Sequence, residues 1–535
     1  MKTKFFETLN FTKLPFSLVT FTFLLFLSAC GNINQNESTT NNNNDEHLMA
    51  GSTYNGAELV FAQWGTIQSL DPHVPNDTVS REAINQIFEG LTIFNEYDEL
   101  VPWLAESFIH VEPTKWEFIL RQGVYFHDGE YFNADAVKLS LDRIRDPQRA
   151  FPIAWMVQMI SEVEVIDDYT LHIHTYFPFA PLAAHLSTAA AKIISPQAIL
   201  EEDEGGTLVT ENPVGTGAFK FISHNPGFDL RMEVFDNYWH NLPNFNYLTF
   251  LTIPEASTRL NMLETGEVNA IIASSMDAAE IEASNTMDLL RIYSSRVNFA
   301  AMNNAVYPFN NRYVRRAMAM ALNLDAVMEA IEHMGVLAAG QVPPTLIGHN
   351  EDVVPLPFDL DQARSYLEYA GYPDGFTTNL YIGAGRPLDE GLTAQIWQHY
   401  LMQIGITANI VELEWGAFLS RIEAQDLDSF VVGWTGFTGE ADNILFANFH
   451  SSMQGLPGNL ANFSDPYMDQ LLEAARSEMN EQYRHEIYRL ATQMAIEEAP
   501  YKATFYPIFP FGTHGIDNIH VSFGAMPFFR TAYLR

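Results

Sequence analysis

Residues 116–144 read WEFILRQGVYFHDGEYFNADAVKLSLDRI and contain three kinds of structural signal in close succession. Residues 116–120 predict a strand, since apolar and polar side chains alternate there. The Asp128-Gly129 pair is typical of a turn. Residues 133–144 have helical periodicity, with Asn133 in the position of an N-cap. Together they predict a strand, a turn and a helix.

The same alternation of helical and strand periods continues in both directions, which predicts an α/β fold. We expect further strands at 169–174, 408–411 and 428–432. Helices are expected at 361–371 and 390–404, ended by Gly371 and Gly405, and over most of 469–491. Residues 57–535 are too many for one ordinary hydrophobic core, so two or more lobes are expected.

The composition excludes some classes of partner. The chain has 535 residues, a formal net charge of −38 and only 28 Lys and Arg residues. Nucleic-acid binding and electrostatic attachment to anionic lipid both need clustered basic residues, so neither is expected. The carboxylates are spread along the chain, which favours a solvated acidic surface over an acidic pocket that attracts cations.

The N-terminal residues predict export and lipid attachment. Lysines at positions 2, 4 and 13 precede an apolar run at 14–27, and residues 27–30 read LSAC. This order is typical of a signal peptide over 1–29, and a Cys at the cut resembles a bacterial lipobox. That resemblance implies diacylglycerol on Cys30. The alternatives are a transmembrane helix, for which the run is short, and a cleaved signal that leaves an incidental Cys.

Residues 30–56 predict a disordered tether. They are rich in Asn, Ser, Thr, Asp and Glu, with four consecutive asparagines at 41–44. Such a composition cannot bury enough apolar surface to offset the entropy of ordering. Cys30 is the single cysteine of the chain, so an intramolecular disulfide is excluded.

Several short strings occur in a fixed order over about 450 residues. They are EGL at 89–91, LVPWLAE at 100–106, LRQGVYFHDG at 120–129, ADAV at 134–137, PVGTGAFK at 213–220, NYW at 237–239, IPE at 253–255, LETGEV at 263–268, VRRA at 314–317 and LNLD at 322–325. This set resembles the extracytoplasmic solute-binding proteins of the peptide/nickel class, which serve ABC importers. The resemblance covers residues from about 58 to the C-terminus.

That resemblance implies a large, two-lobed fold of the periplasmic-binding-protein type (class II). Lobe I is expected over 57–296 with a return at 508–535, and lobe II over 297–507. Two crossover strands, near 297–303 and 503–507, would form the hinge. The lobes would close around a ligand.

The best candidate site from the resemblance is GWTGFTGEADN at 433–443. Trp434, Thr435 and Phe437 would contact the ligand. Peptide binders of the class place an acidic residue after the Trp, and dipeptide binders tend to carry Asp where this chain has Phe437. Glu440 or Asp442 would then receive the ligand ammonium, since a buried ammonium needs a partner charge. The alternative is that Asp442 caps a helix and Glu440 is solvated.

Two other segments belong to the expected site. Arg386, in IGAGRP at 382–387, would receive the ligand carboxylate, because a guanidinium makes bidentate charge-assisted bonds. The alternative is a surface Arg paired with an acidic residue at 389 or 390. Trp64, Gly65 and Thr66 follow the first strand and would supply backbone groups and an aromatic wall. Trp415 is either a further wall or a core residue.

The motifs of common enzymes are missing: the sequence has no G-x-S-x-G, H-E-x-x-H or P-loop pattern. We therefore expect no catalysis, no cofactor and no metal site. His172 and His174 face one side of a predicted strand, but the pair alone is a weak metal signal. His73 and His450 are either axial ligands of a bound metal chelate or ordinary loop residues.

The resulting hypothesis is a lipid-anchored, extracytoplasmic and monomeric binding protein of an ABC importer. It would capture short peptides or peptide-like zwitterions such as glutathione. Its partners would be membrane permease subunits driven by cytoplasmic ATPases. A nickel-chelate binder of the same class and a receptor that signals without import are the alternatives.

Overall fold

The computed structural model describes residues 57–535, apart from Asn76, Gly385, Pro387, Leu388 and Leu456. The predicted signal peptide (1–29) and the tether with Cys30 lie outside the described residues. Helices and strands are mixed throughout, as the sequence predicts. None of the helices in the described residues is both long and apolar enough to cross a membrane.

The strands are numbered in chain order. They are β1 Glu58–Gln63, β2 Thr92–Phe94, β3 Leu100–Pro102, β4 Ala105–Glu112, β5 Lys115–Leu120, β6 Ile160–Asp167, β7 Thr170–Thr175, β8 Phe219–Asn225, β9 Asp229–Val234, β10 Tyr247–Thr252, β11 Ala270–Ile272, β12 Met287–Tyr293, β13 Arg296–Met302, β14 Gly335–Leu337, β15 Thr377–Gly383, β16 Thr407–Leu413, β17 Ser429–Thr435, β18 Tyr501–His514, β19 Ile516–Asp517, β20 His520–Val521, β21 Pro527–Phe528 and β22 Tyr533–Leu534.

The α-helices are numbered in the same way. They are α1 Thr78–Ile87, α2 Ala134–Arg145, α3 Leu182–His185, α4 Pro196–Asp203, α5 Ala256–Thr265, α6 Ala278–Ala283, α7 Arg312–Met320, α8 Leu324–Ala330, α9 Leu360–Tyr369, α10 Glu390–Gln403, α11 Trp415–Glu423, α12 Asp442–Phe449, α13 Pro466–Ser477 and α14 Glu481–Glu498.

The largest sheet in the described part of the chain has two halves that share β18. One half contains β8–β12 and β1, and the other contains β13–β17. The N-terminal part of β18 pairs with β13, and its C-terminal part pairs with β12. Only Ser294 and Ser295 separate β12 from β13, and Ser294 Oγ donates to the carbonyl of Pro507 at 2.7 Å. The chain therefore crosses between the halves at two neighbouring points.

A second, four-stranded sheet has the order β4-β5-β7-β6. Trp116, Phe118, Leu171 and Ile173 are buried on one face of this sheet, which belongs to the same core as α2. The side chains between them in sequence are polar or only half-buried. Period-two alternation therefore gives this sheet one core face and one outer face.

Most of the predicted elements are confirmed to within a few residues. Asn133 caps α2, since its Oδ1 accepts from the Ala136 backbone N–H at 3.0 Å. The helix expected over 469–491 is two helices, α13 and α14. Asn480 separates them, because its side chain accepts from the Tyr483 backbone N–H and starts α14. The lobe boundaries at 296/297 and 507/508 stay a prediction.

Candidate functional site

A cavity of about 260 Å³ lies between the two halves of the large sheet. Aromatic and aliphatic side chains make up most of its wall, and three ionisable side chains interrupt them. The described residues that line it are Trp64, Gln68, Val74, Pro75, Asp77, Thr78, Pro152, Arg296, Arg386, Trp415, Leu419, Ile422, Val432, Gly433, Trp434, Thr435, Phe437 and Leu460.

The topology explains why these residues meet. Strands β15, β16 and β17 run parallel, and their carboxyl ends lead to Arg386, Trp415 and Trp434. On the other half of the sheet, β1 runs parallel to β10 and leads to Trp64. Ligands of open α/β sheets bind outside the carboxyl ends of the strands. The cavity occupies that place on both halves at once.

Arg386 is a buried cation in the cavity wall that lies against two tryptophan rings. Its guanidinium carbon lies 3.9 Å from the Trp415 ring centroid and 5.4 Å from that of Trp64. Its side chain is only 5% exposed, and Nε lies 3.3 Å from Glu390 Oε2. Nε and Nη1 nevertheless lack a hydrogen-bond acceptor among the described residues. Two buried donors are thus left for an incoming acceptor.

Glu390 is shared by two guanidinium groups. Arg296 Nη2 donates to Glu390 Oε1 at 3.1 Å, and Arg296 Nε donates to Asn298 Oδ1 at 2.8 Å. Burial, together with the charge of Arg386, lowers the pKa of Arg296 to about 9. One carboxylate facing two cations leaves this wall of the cavity positive.

Asp77 is the one carboxylate among the described residues that line the cavity. It is the N-cap of α1, and its Oδ1 accepts from the Ser80 backbone N–H at 2.9 Å. Burial raises the pKa of Asp77 above its usual value, although the Ser80 hydrogen bond and the charges of Arg81 and Arg386 oppose the rise. The described lining of the cavity therefore contains one carboxylate and two guanidinium groups in an apolar enclosure, and can bind both ends of a zwitterion.

The structure brings five of the predicted site residues to this cavity: Trp64, Arg386, Trp434, Thr435 and Phe437. Phe437 also lies under the guanidinium of Arg81, 4.3 Å from its carbon. Gly65 and Thr66 are outside the lining. A Cβ on Gly65 would lie 3.1 Å from Val79, and the Thr66 carbonyl accepts from Gln68.

Glu440 and Asp442 are also outside the lining, and each is ion-paired elsewhere. Glu440 accepts from Arg484 Nε. Asp442 accepts from Arg476 at 2.8 and 3.2 Å, and lies 3.1 Å from His185 Nε2. Burial would raise the pKa of Asp442, but Arg476 and His185 hold it below its usual value. Neither of the two carboxylates that the sequence predicts as the ammonium partner lines the cavity.

His73 and His450 do not line the cavity either. His73 Nδ1 lies 2.9 Å from Arg143 Nη1, and burial lowers its pKa to about 4. His450 Nδ1 lies 2.7 Å from Ser452 Oγ. The lining contains no histidine among the described residues.

Sequence reasoning missed Asp77 and Arg296. Asp77 carries one detectable signal, an Asp immediately before a helical pattern that follows the first strand. Arg296 directly precedes the predicted hinge strand at 297–303 and is the first residue of β13. Its position beside Glu390 depends on a fold contact across 94 residues.

Comparisons with known proteins agree with this geometry. The family of bacterial extracellular solute-binding proteins, family 5 Middle, matches residues 99–455. The glutathione-binding protein GsiB of Pectobacterium atrosepticum is 30% identical over 464 residues, covering 85% of this chain and 89% of that protein.

Two solved structures show the same fold. DppA of Helicobacter pylori, in complex with the peptide STSA, superposes with a TM-score of 0.83 at 27% identity and covers 90% of this chain and 98% of its own. NikZ of Campylobacter jejuni, in complex with Ni(L-His), has a TM-score of 0.79 at 22% identity over 87% of this chain and 96% of its own. The predicted two-lobed fold with two crossover strands is confirmed.

Proposed function

Since the chain belongs to family 5 of the bacterial extracellular solute-binding proteins, we propose that it captures short peptides or peptide-like zwitterions in the cavity between its lobes. Arg386 receives the ligand carboxylate, and Asp77 receives the ligand ammonium. Trp64, Trp415 and Trp434 contact the apolar part of the ligand.

One observation carries this proposal. The Arg386 side chain lies against two indole rings, is only 5% exposed, and has two donors without acceptors among the described residues. A buried donor without a partner costs about 1–3 kcal/mol. A bound carboxylate removes that cost through charge-assisted hydrogen bonds, so the site favours a ligand with an anionic end.

The size and chemistry of the cavity favour a short ligand. Its volume of about 260 Å³ is just below the range of roughly 300–1,000 Å³ that is usual for small-molecule pockets. The glutathione-binding relative and the peptide-bound neighbour support the same class of ligand. The nickel-chelate alternative is weaker, because the described lining offers no histidine.

The remaining roles follow from the proposed capture. Bound peptide is delivered to permease subunits in the membrane, which cytoplasmic ATPases drive. Lipid on Cys30 holds the protein at the outer face of the membrane, and the tether at 30–56 lets the body move. Replacing Cys30 by Ala should abolish incorporation of labelled fatty acid into the protein, and equal labelling of the parent chain and the variant would exclude the anchor.

The test of capture is calorimetric titration of the full chain with matched ligands. We expect binding of a dipeptide with free termini and of glutathione, and at least tenfold weaker binding of the N-acetylated and C-amidated dipeptides. In Asp77→Asn the penalty for acetylation should disappear, and in Arg386→Gln the penalty for amidation should disappear. Asn caps a helix as well as Asp does, so Asp77→Asn keeps the start of α1.

Arg364→Gln is the matched control, because Arg364 is an exposed arginine paired with Asp361. It should bind all ligands like the parent chain. Equal affinity for free and blocked peptides would overturn the assignment of both termini. Binding of Ni²⁺ with histidine, and of no peptide, would transfer the protein to the chelate branch.

A further inference from the structure

The outer face of the four-stranded sheet brings together two histidines and two glutamates. His172 and His174 lie on β7, Glu164 lies on β6 and Glu117 lies on β5. Glu117 and Glu164 are the direct cross-strand partners of His172. Residues i and i+2 of a strand share a face, so all four side chains project from the same side of the sheet.

The distances between the donor atoms are short. Glu164 Oε2 lies 3.1 Å from His172 Nδ1 and 3.0 Å from His174 Nε2. One donor atom from each of these three residues falls within 4.8 Å of the others. Tetrahedral zinc with bonds of roughly 2.0–2.1 Å separates its ligand atoms by about 3.3 Å. The two distances from Glu164 Oε2 are close to that spacing, and the two imidazole nitrogens lie within 4.8 Å of each other.

Glu117 adds a feature that a chance ion pair does not need. Its Oε2 lies 3.1 Å from His172 Nε2, the ring nitrogen opposite the one that faces Glu164. Histidine ligands of metals usually donate their second N–H to a carboxylate, which fixes the tautomer and the ring orientation. With Nε2–H directed at Glu117, Nδ1 of His172 presents its lone pair towards Glu164 and His174.

The surroundings leave space for solvent on the metal. The side chains of His172, His174 and Glu164 are 14%, 29% and 45% exposed. Val163, Leu171 and Ile173 are buried on the opposite face and hold both strands in place. The strands that carry the three donors are thus held by core packing on one face, and the donors face solvent on the other, where water can complete the coordination.

We propose that this face binds a divalent transition metal through His172 Nδ1, His174 Nε2 and a Glu164 carboxylate oxygen. Imidazole with carboxylate suits Zn²⁺, Ni²⁺ and Cu²⁺ rather than Ca²⁺ or Mg²⁺. Glu117 is a positioning residue that acts through His172. The site shares no residue with the lining of the cavity, so it is independent of peptide capture.

The test uses the full chain without a histidine tag, stripped of metal, with Zn²⁺ as the probe. Equilibrium dialysis and competition with a chromogenic chelator should give one equivalent bound. His172→Ala and His174→Ala should each weaken this binding at least tenfold. Glu117→Gln should weaken it by roughly 10–100-fold, as loss of an outer carboxylate does.

His399→Ala is the matched control, because His399 is a histidine of the other lobe whose ring is within 3.1 Å of Gln403. It should retain the full equivalent of Zn²⁺. Circular dichroism checks that every variant is folded, and Glu164→Gln gives a second, conservative removal of a ligand. Equal Zn²⁺ uptake by the parent chain and by the His172→Ala/His174→Ala double variant would overturn the proposal.

Discussion

Two groups of buried ions in this protein differ in how completely they are paired. The cavity group consists of Asp77, Arg296, Arg386 and Glu390, and the outer group consists of Glu440, Asp442, Arg476, Arg484 and His185. In the outer group each carboxylate accepts from its own arginine. In the cavity group two arginines share Glu390, and Arg386 keeps two donors without acceptors among the described residues.

The difference supports a structural role for the outer group and the proposed binding role for the cavity group. The attraction between a buried ion and its partner offsets the cost of removing the ion from water. For an incompletely paired ion, part of that desolvation cost remains. At the cavity, the proposed ligand binding gives a reason for keeping such an ion. The residue types do not distinguish the two groups, since each group contains acidic residues together with arginines.

The largest effect is expected in the outer group. Arg476→Met leaves Asp442 buried with only His185 beside it, and should lower the free energy of unfolding by about 3–5 kcal/mol. Urea unfolding measures this loss. Arg364→Met removes an exposed ion pair and should cost less than about 1 kcal/mol. Similar losses in the two variants would show that the Asp442 pair is not structural.

The cavity group should respond in the opposite way. Arg386→Gln removes a buried cation whose Nε and Nη1 lack acceptors among the described residues, and Glu390 keeps its bond to Arg296. The free energy of unfolding without ligand should therefore change by less than about 1 kcal/mol. Ligand affinity should fall by about 1.5–3 kcal/mol, the contribution of hydrogen bonds to a charged group. Calorimetry and urea unfolding of one preparation give both values. A large loss of stability with unchanged affinity would reverse the comparison.

Asp389 connects the cavity group to the other half of the sheet and should make stability depend on pH. Its Oδ1 accepts from Ser275 Oγ at 2.9 Å. Burial raises the pKa of Asp389 from 3.8 to about 6, although the Ser275 hydrogen bond opposes the rise. The folded state therefore binds the Asp389 proton more tightly than the unfolded state does. The stability that protonated Asp389 contributes to the folded state is lost as pH rises from about 4 through about 6.

Asp389→Asn removes that titration. The difference in free energy of unfolding between the parent chain and this variant should shift by about 1–2 kcal/mol over the same pH window. Unfolding in urea at pH 4, 5, 6 and 7 measures it. A difference that is constant with pH would contradict the raised pKa.

The smallest effect concerns the aromatic wall. Trp415→Leu removes the closer of the two rings that stack on Arg386 and should weaken ligand binding by about 0.5–1 kcal/mol, the magnitude of one cation–π contact. Titration with the same dipeptide measures the change. Trp397→Phe is unsuitable as a control, since Trp397 is fully buried, so Trp239→Leu in the other lobe serves instead.

The sequence predicts local elements well, because their causes are local. Asn133 caps α2 with its own side chain, and Gly405 adopts φ of 88° just after α10. The family strings also identify the fold, since they occur in order along the chain. Trp64, Arg386 and Trp434, which the family resemblance and their positions at or after strand ends predict as site residues, all line the cavity.

The pairing of charges could not be predicted in this way. Glu440 and Asp442 follow Trp434 closely, yet their arginines lie 44 and 34 residues further along the chain. Neither carboxylate lines the cavity, and Asp77, at the start of α1, is the one carboxylate among the described residues of its lining. In the four-stranded sheet, the sequence predicts that His172 and His174 share one face. It does not predict their contact with Glu117, which lies 55 residues from His172 in the chain.

The sequence by itself determined the α/β architecture, the family and the strand ends that lead to the cavity, because periodicity, caps and turns act over a few residues. The tertiary structure decided which buried charge meets which partner. Coulomb interactions and hydrogen bonds depend on distance in space, and strand crossing brings residues hundreds of positions apart within 3 Å. The tertiary contacts of a buried ion therefore determine whether it is paired within the fold or is open to the proposed ligand.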